Sequence, residues 1–273
     1  MKVTSMQITE TWPTVEERND YQTHLKYAHR LGLWASNLSI SCTIQPALGS
    51  DGLKEVKNKG QLIEMTRKSL EDELAIVFAD ADYSSASVLW LPTKSYYLMY
   101  HLLSVIEYIL TGDKGLLRFD HVQCLKKFAE RLGSADFCFS HKPFNTIFDK
   151  SILKFKSQSG EILRNNVSDK VVHALVMKKV ATYKIENFLE RKKIDRRNPK
   201  GKKDYTKFVD GLDLTIIDFF YSMRIKSSYS DFRFVDGVDA DRTKIYFEKY
   251  YAITESFYQC FNNLKNDLIA RMK

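Results

Sequence analysis

Chemistry on a phosphate ester needs a fixed cation to hold negative charge and a side chain to move a proton. The segment Arg224-Ile225-Lys226-Ser227-Ser228-Tyr229-Ser230-Asp231 offers the cation at the end of an apolar stretch. Its partner six positions into that segment is Tyr229, a phenol with a pKa near 10 and a poor base at neutral pH. Tyr229 is suited to hydrogen-bonding a phosphate or positioning Arg224; the plainer reading is a structural hydrogen bond at a helix end. An arginine and an imidazole also stand close together in Arg18-Asn19-Asp20-Tyr21-Gln22-Thr23-His24. With thirteen arginines and six histidines in the chain, a match this loose is expected by accident. Arg18 and His24 therefore compete with a reading as ordinary helix-surface residues.

Positive charge is concentrated in one place. Arg191, Lys192, Lys193, Arg196, Arg197, Lys200, Lys202 and Lys203 face Asp195 alone, a local +7 within a net charge of +8. Asn198-Pro199-Lys200-Gly201 inside the run reads as a turn. A basic loop over 191–204 is expected, suited to phosphates and hence to RNA or another nucleic acid. The competing reading is a solvated inter-helix loop.

Other groupings are weaker. His121-x2-Cys124 and Cys138-x2-His141 mirror each other as nitrogen and sulfur ligands of the kind tetrahedral zinc prefers. No turn glycines frame them, so buried thiols beside surface histidines are the leading reading, and no metal or cofactor is expected. Asp80 and Asp82 lack a third partner for magnesium, and Asp236 to Asp241 does not follow an EF-hand loop. P-loop, GxGxxG, HExxH and GxSxG motifs are missing, which leaves ATPase, dehydrogenase, zincin and serine-hydrolase readings without support. His101 reads as a core histidine. The aromatic stripe Tyr246, Phe247, Tyr250, Tyr251, Phe257, Tyr258 and Phe261 reads as core and dimer surface before it reads as a base-stacking platform.

The elements that must hold these residues are mostly helical. The chain has 273 residues, 44% apolar and 13% aromatic, with eleven glycines and five prolines. That composition suits one large helical domain over 1–273. Helical spacing covers about 14–37, 61–82 (with Leu62, Met65, Leu70, Leu74 and Val77 inward), 92–111, 120–132, 168–193, 212–228 and 242–272. Residues 92–111 are apolar all round and predict a central helix. Ser39 to Cys42 alternates weakly and suits a short strand. Alternation on both sides of Ser159-Gly160 predicts an inserted β-hairpin over 151–164. No run of apolar residues is long enough to span a membrane. Four scattered cysteines without CxxC spacing suggest free thiols and a cytoplasmic location.

Two pieces together, Pro92-x3-Tyr96-Tyr97-x3-His101-Leu102 and Arg224-x4-Tyr229-x-Asp231 before the long last helix, resemble the HEPN superfamily. These are small α-helical bundles common in prokaryotic toxin–antitoxin and antiviral systems. The insertion after His121 is similar to that of the YaaC-like branch. The resemblance covers about half of the chain. It implies a mainly α, HEPN-like bundle with a small inserted β-hairpin, and a homodimer that brings equivalent Arg224 turns together. Many members are metal-independent ribonucleases that use Arg-x4–6-His, the histidine moving a proton while arginine stabilises the developing charge. Tyr229 stands where that histidine falls, so either cleavage is lost or another residue has its role. Two functions stay open: RNA binding with metal-independent cleavage in a defence or toxin–antitoxin module, or a non-catalytic helical scaffold for an effector or antitoxin partner.

Overall fold

The computed structural model describes residues 28–29, 31–33, 35–80, 82–83, 90–117, 121–140, 153, 169–212, 214–225, 227 and 240–272. Helical residues between 28 and 36 lead into strand β1 (Ile40–Cys42). Then come α1 (Leu53–Ala79), α2 (Trp90–Thr111), α3 (His121–Leu132), strand β2 (Phe137–Phe139), α4 (Asp169–Arg191), α5 (Pro199–Asp210), α6 (Ile216–Ile225) and α7 (Ala240–Ala270). The mainly α expectation holds, with one small sheet.

Helix α2 is the centre. Its residues are buried on nearly every side, and α1, α6 and α7 all pack against it. It stops at Gly112, whose φ of 71° lies in the left-handed region that glycine enters without a Cβ clash. Two bidentate ion pairs fix its neighbours. Arg131 on α3 holds the buried Glu107 of α2 through Nε–Oε1 at 2.9 Å and Nη2–Oε2 at 3.2 Å. Arg67 on α1 holds Glu255 of α7 through contacts of 2.8–3.1 Å.

Helix α1 buries a seam at seven-residue intervals, Val56, Ile63, Leu70 and Val77. That spacing keeps one narrow stripe on the partner, as in a coiled-coil seam. Of the expected inward positions, Leu70 and Val77 are buried and Leu74 packs on the core, whereas Leu62 and Met65 are exposed and Ile63 takes the core place. The aromatic stripe of α7 is core, as expected, since Tyr246, Phe247, Tyr250, Phe257, Tyr258 and Phe261 are buried.

The sheet is a two-stranded antiparallel pair, with Ile40 opposite Phe139 and Cys42 opposite Phe137. Ser39 to Cys42 was legible as a strand, whereas its partner lies nearly a hundred residues on. The expected hairpin at 151–164 falls outside the described residues except Leu153, which is helical there.

Two apolar clusters are buried. The larger joins α1, α2, α3, α6, α7 and the sheet. The smaller comprises Met177, Val180, Ala181 and Ile185 of α4 with Leu212 and Leu214, and Tyr205, Phe208 and Val209 of α5 lie against it. Lys184 of α4 reaches Asp218, which is 1% exposed, and so ties the smaller cluster to α6.

Candidate functional site

Helix α6 starts on a reciprocal cap. Thr215 Oγ1 accepts from Ile217 N at 3.2 Å, while Asp218 Oδ2 accepts from Thr215 N at 2.7 Å. Each side chain thereby satisfies an otherwise orphaned backbone donor. Thus anchored, α6 projects Tyr221 and Arg224, three residues apart, from one face toward the first half of α2. Helix α2 answers with Tyr96, Tyr97, Tyr100 and His101, whose spacing places them on adjoining positions of its surface. The first residue of α3, His121, completes the group.

The guanidinium of Arg224 lies 5.3 Å from the Tyr96 ring, 5.6 Å from Tyr97 and 5.3 Å from Tyr221. Tyrosine faces are electron-rich and hold cations well. Arg224 Nη1 donates to Tyr97 Oη at 3.2 Å. Its Nε is buried with no hydrogen-bond partner among the described residues. No carboxylate among the described residues pairs with it, in contrast with Arg67, Lys94, Arg131 and Lys184. A buried N–H without an acceptor costs about 1–3 kcal/mol, which a bound oxyanion would relieve. Arginine matches phosphate and carboxylate oxygens geometrically.

Tyr96 Oη lies 2.9 Å from His121 Nδ1. Burial pushes the Tyr96 phenol well above its ordinary range, against the opposing pull of Arg224, so it keeps its proton. The His121 ring also packs at 4.7 Å from Tyr100 and 5.7 Å from Tyr97. The Tyr96 hydrogen bond and the rings of Tyr96, Tyr97 and Tyr100 all bear on its orientation. His101 stacks on Tyr97 with ring centres 6.0 Å apart. Burial first, then the charges of Lys59 and His121, holds the His101 pKa down at about 4, so it is neutral at pH 7. The arrangement combines an arginine suited to an oxyanion, an oriented imidazole and a second, neutral imidazole among four phenols, Tyr96, Tyr97, Tyr100 and Tyr221.

Of the residues expected from sequence to do chemistry, Arg224 lies in this cluster, whereas Tyr229, Arg18 and His24 fall outside the described residues. His121 and Tyr96 were not expected there. The Pro92-to-Leu102 motif had marked Tyr96 and Tyr97, but nothing in sequence spacing connects them to Arg224 or His121. Of the mirrored ligand set, the three described members do not gather as zinc would require. Cys124 is buried with its thiol toward Tyr100 Oη at 3.9 Å, Cys138 Sγ faces Ala135 O from exposed β2, and His141 is outside the described residues. No group of three or more histidine, cysteine, aspartate or glutamate side chains is placed to hold a metal among the described residues.

The basic segment is not the loop expected over 191–204. Arg191 ends α4, the turn occupies residues 192–198, and α5 carries Lys200, Lys202 and Lys203. Lys193 has φ 50° and ends α4 with a pair of reversed hydrogen bonds, Ile194 N to Leu189 O at 2.9 Å and Lys193 N to Glu190 O at 3.1 Å. This is a Schellman-type stop with lysine where glycine is usual. Asn198 then caps α5, its Oδ1 accepting from Gly201 N, and Pro199 takes the first helical position. Phe188 and Phe208 stack with centres 3.8 Å apart and hold α4 to α5. The eight cations of this hairpin are solvent-exposed.

No family model, curated protein or solved structure matches this chain. No helix among the described residues is long and apolar enough to cross a membrane. The functional reading therefore rests on the Arg224 cluster and the basic hairpin.

Proposed function

We propose that this protein binds RNA and cleaves it without a metal, in the manner of HEPN-type ribonucleases of prokaryotic defence and toxin–antitoxin systems. Arg224 holds the scissile phosphate, and His121 takes the role of the histidine that Arg224-x4-Tyr229 lacks. The observation that carries this reading is that Arg224 and His121 both meet Tyr96, the guanidinium over its ring and the imidazole at its hydroxyl. In the reaction, His121 accepts the proton of the ribose 2′-hydroxyl, and the 2′-oxygen attacks the adjacent phosphorus. The P–O5′ bond breaks, and the imidazolium returns the proton to the leaving 5′-oxygen. The products are a 2′,3′-cyclic phosphate and a 5′-hydroxyl. The guanidinium offsets the charge that accumulates on the phosphate oxygens. Pairing of two copies through their Arg224 turns belongs to the same proposal.

A second reading is a non-catalytic module that partners an effector enzyme, favoured by the phenol at Tyr229. Mixed RNA incubated with the full chain and EDTA separates the two. Cleavage by the wild type, lost in both Arg224→Ala and His121→Asn, supports the ribonuclease. Absence of cleavage at high protein excess removes it, and cleavage that persists in both variants moves the site elsewhere.

A further inference from the structure

The Arg224 cluster centres on a single guanidinium, whereas most of the net charge of the molecule lies elsewhere. We infer that the α4–α5 hairpin is a separate docking surface for single-stranded RNA. The inference rests on the RNA reading above for its choice of ligand, though not on cleavage.

Charge is the first support. Eight cations lie in 191–203, and none forms an ion pair among the described residues. The one acid in the run, Asp195, spends Oδ1 on the backbone N–H of Arg197 at 2.9 Å. Uncompensated like charges on a tight turn repel one another, and polyanion binding relieves that repulsion. Lys193 adds a second, independent observation: a long cationic residue occupies a left-handed position that glycine fills without strain. The backbone there is held against the preference of its side chain, and the ammonium is exposed.

Shape narrows the ligand. Arg196, Arg197, Lys202, Tyr205 and Thr206, with Ile194 and the single acid Asp195, line an open cleft between the turn and α5. In it the Arg196 guanidinium lies over the Tyr205 ring at 5.1 Å. A planar cation stacked on an aromatic face, flanked by phosphate-binding lysines, is the combination that takes unpaired bases with their backbone. A membrane surface fits less well. None of the exposed large apolar residues among the described ones lies in 191–210, so the hairpin has no anchor to insert beside its cations.

The test uses the full chain and a fluorescent 2′-O-methyl oligonucleotide, which binds without being cleaved through its 2′-oxygen. Wild-type log affinity should fall steeply with log salt. Replacing Arg196, Arg197, Lys202 and Lys203 together with serine should flatten the slope by about 3, at roughly 0.7 per contact on a single strand. Tyr205→Leu, which keeps an apolar side chain against the smaller core, should weaken binding about tenfold or more while the slope stays unchanged. Melting curves of both variants should stay near the wild type. Unchanged affinity and slope in the fourfold variant would overturn the inference, as would a large loss of melting temperature, which would show the segment to be packed. Tighter binding to a duplex of the same sequence, or binding only to phosphatidylserine vesicles, would overturn the choice of ligand. Binding that depends on the hairpin without any RNA cleavage would sink the ribonuclease reading alone. Cleavage with hairpin-independent binding would sink this inference alone.

Discussion

Tyr96 Oη and His121 Nδ1 lie 2.9 Å apart, and the other face of this contact is the guanidinium of Arg224 over the Tyr96 ring. In the proposed reaction the phenol is the positioning residue of the cluster. It touches both the cation and the imidazole, and burial keeps it protonated.

Tyr96→Phe keeps the ring beneath Arg224 and removes only the hydroxyl. The Arg224 contact survives, while His121 loses the hydrogen bond that orients it. RNA affinity should stay within twofold, and the cleavage rate should fall about tenfold to a hundredfold. The pH–rate profile should also shift, because a partner of the titrating imidazole has gone. Folding stability should fall by about 1 kcal/mol, the usual net value of one hydrogen bond. Equal rates and superimposable pH profiles for variant and wild type would show that Tyr96 is only a packing residue.

His101 supplies a pH dependence of stability. Its folded pKa is about 4, below the ordinary value of 6.5. Between these values the unfolded chain binds the proton and the folded chain does not. The contribution is therefore fully present above about pH 6.5 and is lost as pH falls toward 4. Discounted for partial exposure, its size is about 1–2 kcal/mol. Denaturant midpoints of wild type and His101→Asn, compared at pH 7 and pH 4.5, should differ in their pH dependence by that amount. Parallel pH dependences in the two proteins would contradict the assignment.

Much of the bundle was legible because it is written in local periodicity. Helix α2 is apolar on every face and predicted a central place, and the aromatic spacing of α7 favoured core over a base-stacking platform. The second half of the α1 seam, Leu70 and Val77, was legible, but its first half was misread because Leu62 and Ile63 are both apolar, and only the neighbouring helix decides which is buried. Helix α5 was missed for a different reason. Asn198-Pro199-Lys200-Gly201 was read as a turn, yet asparagine before proline is also a cap followed by a favoured first helical residue. The glycine that suggested a loop is required because the Asp195 carbonyl of the preceding turn lies close against the first turn of α5. The site shows the same division. Arg224 stood out by its motif, but His121 is 103 residues away, and no local pattern joins it to Arg224. That meeting is created by the packing of α3 and α6 on α2.

Gly201 and Lys193 allow the shape of the basic hairpin to be tested apart from its charge. A Cβ on Gly201 would stand 2.0 Å from the carbonyl oxygen of Asp195. Gly201→Ala must therefore displace the turn and its Asn198 cap, at a cost of about 1–3 kcal/mol, while every cation remains. Because α5 packs on the smaller core, the damage should be confined there. Amide exchange in α5 should accelerate, while that of α2 should stay slow. Lys193→Gly does the reverse: its φ of 50° suits glycine, so the turn should persist with a stability change within about 1 kcal/mol. Only one charge is lost, and the salt slope of RNA binding should fall by about 0.7. If shape matters, Gly201→Ala should weaken binding more than Lys193→Gly does, although it removes no charge. Wild-type affinity in Gly201→Ala, with α5 exchange accelerated, would mean that the cations act as a diffuse cloud and that the Arg196–Tyr205 cleft has no part in recognition.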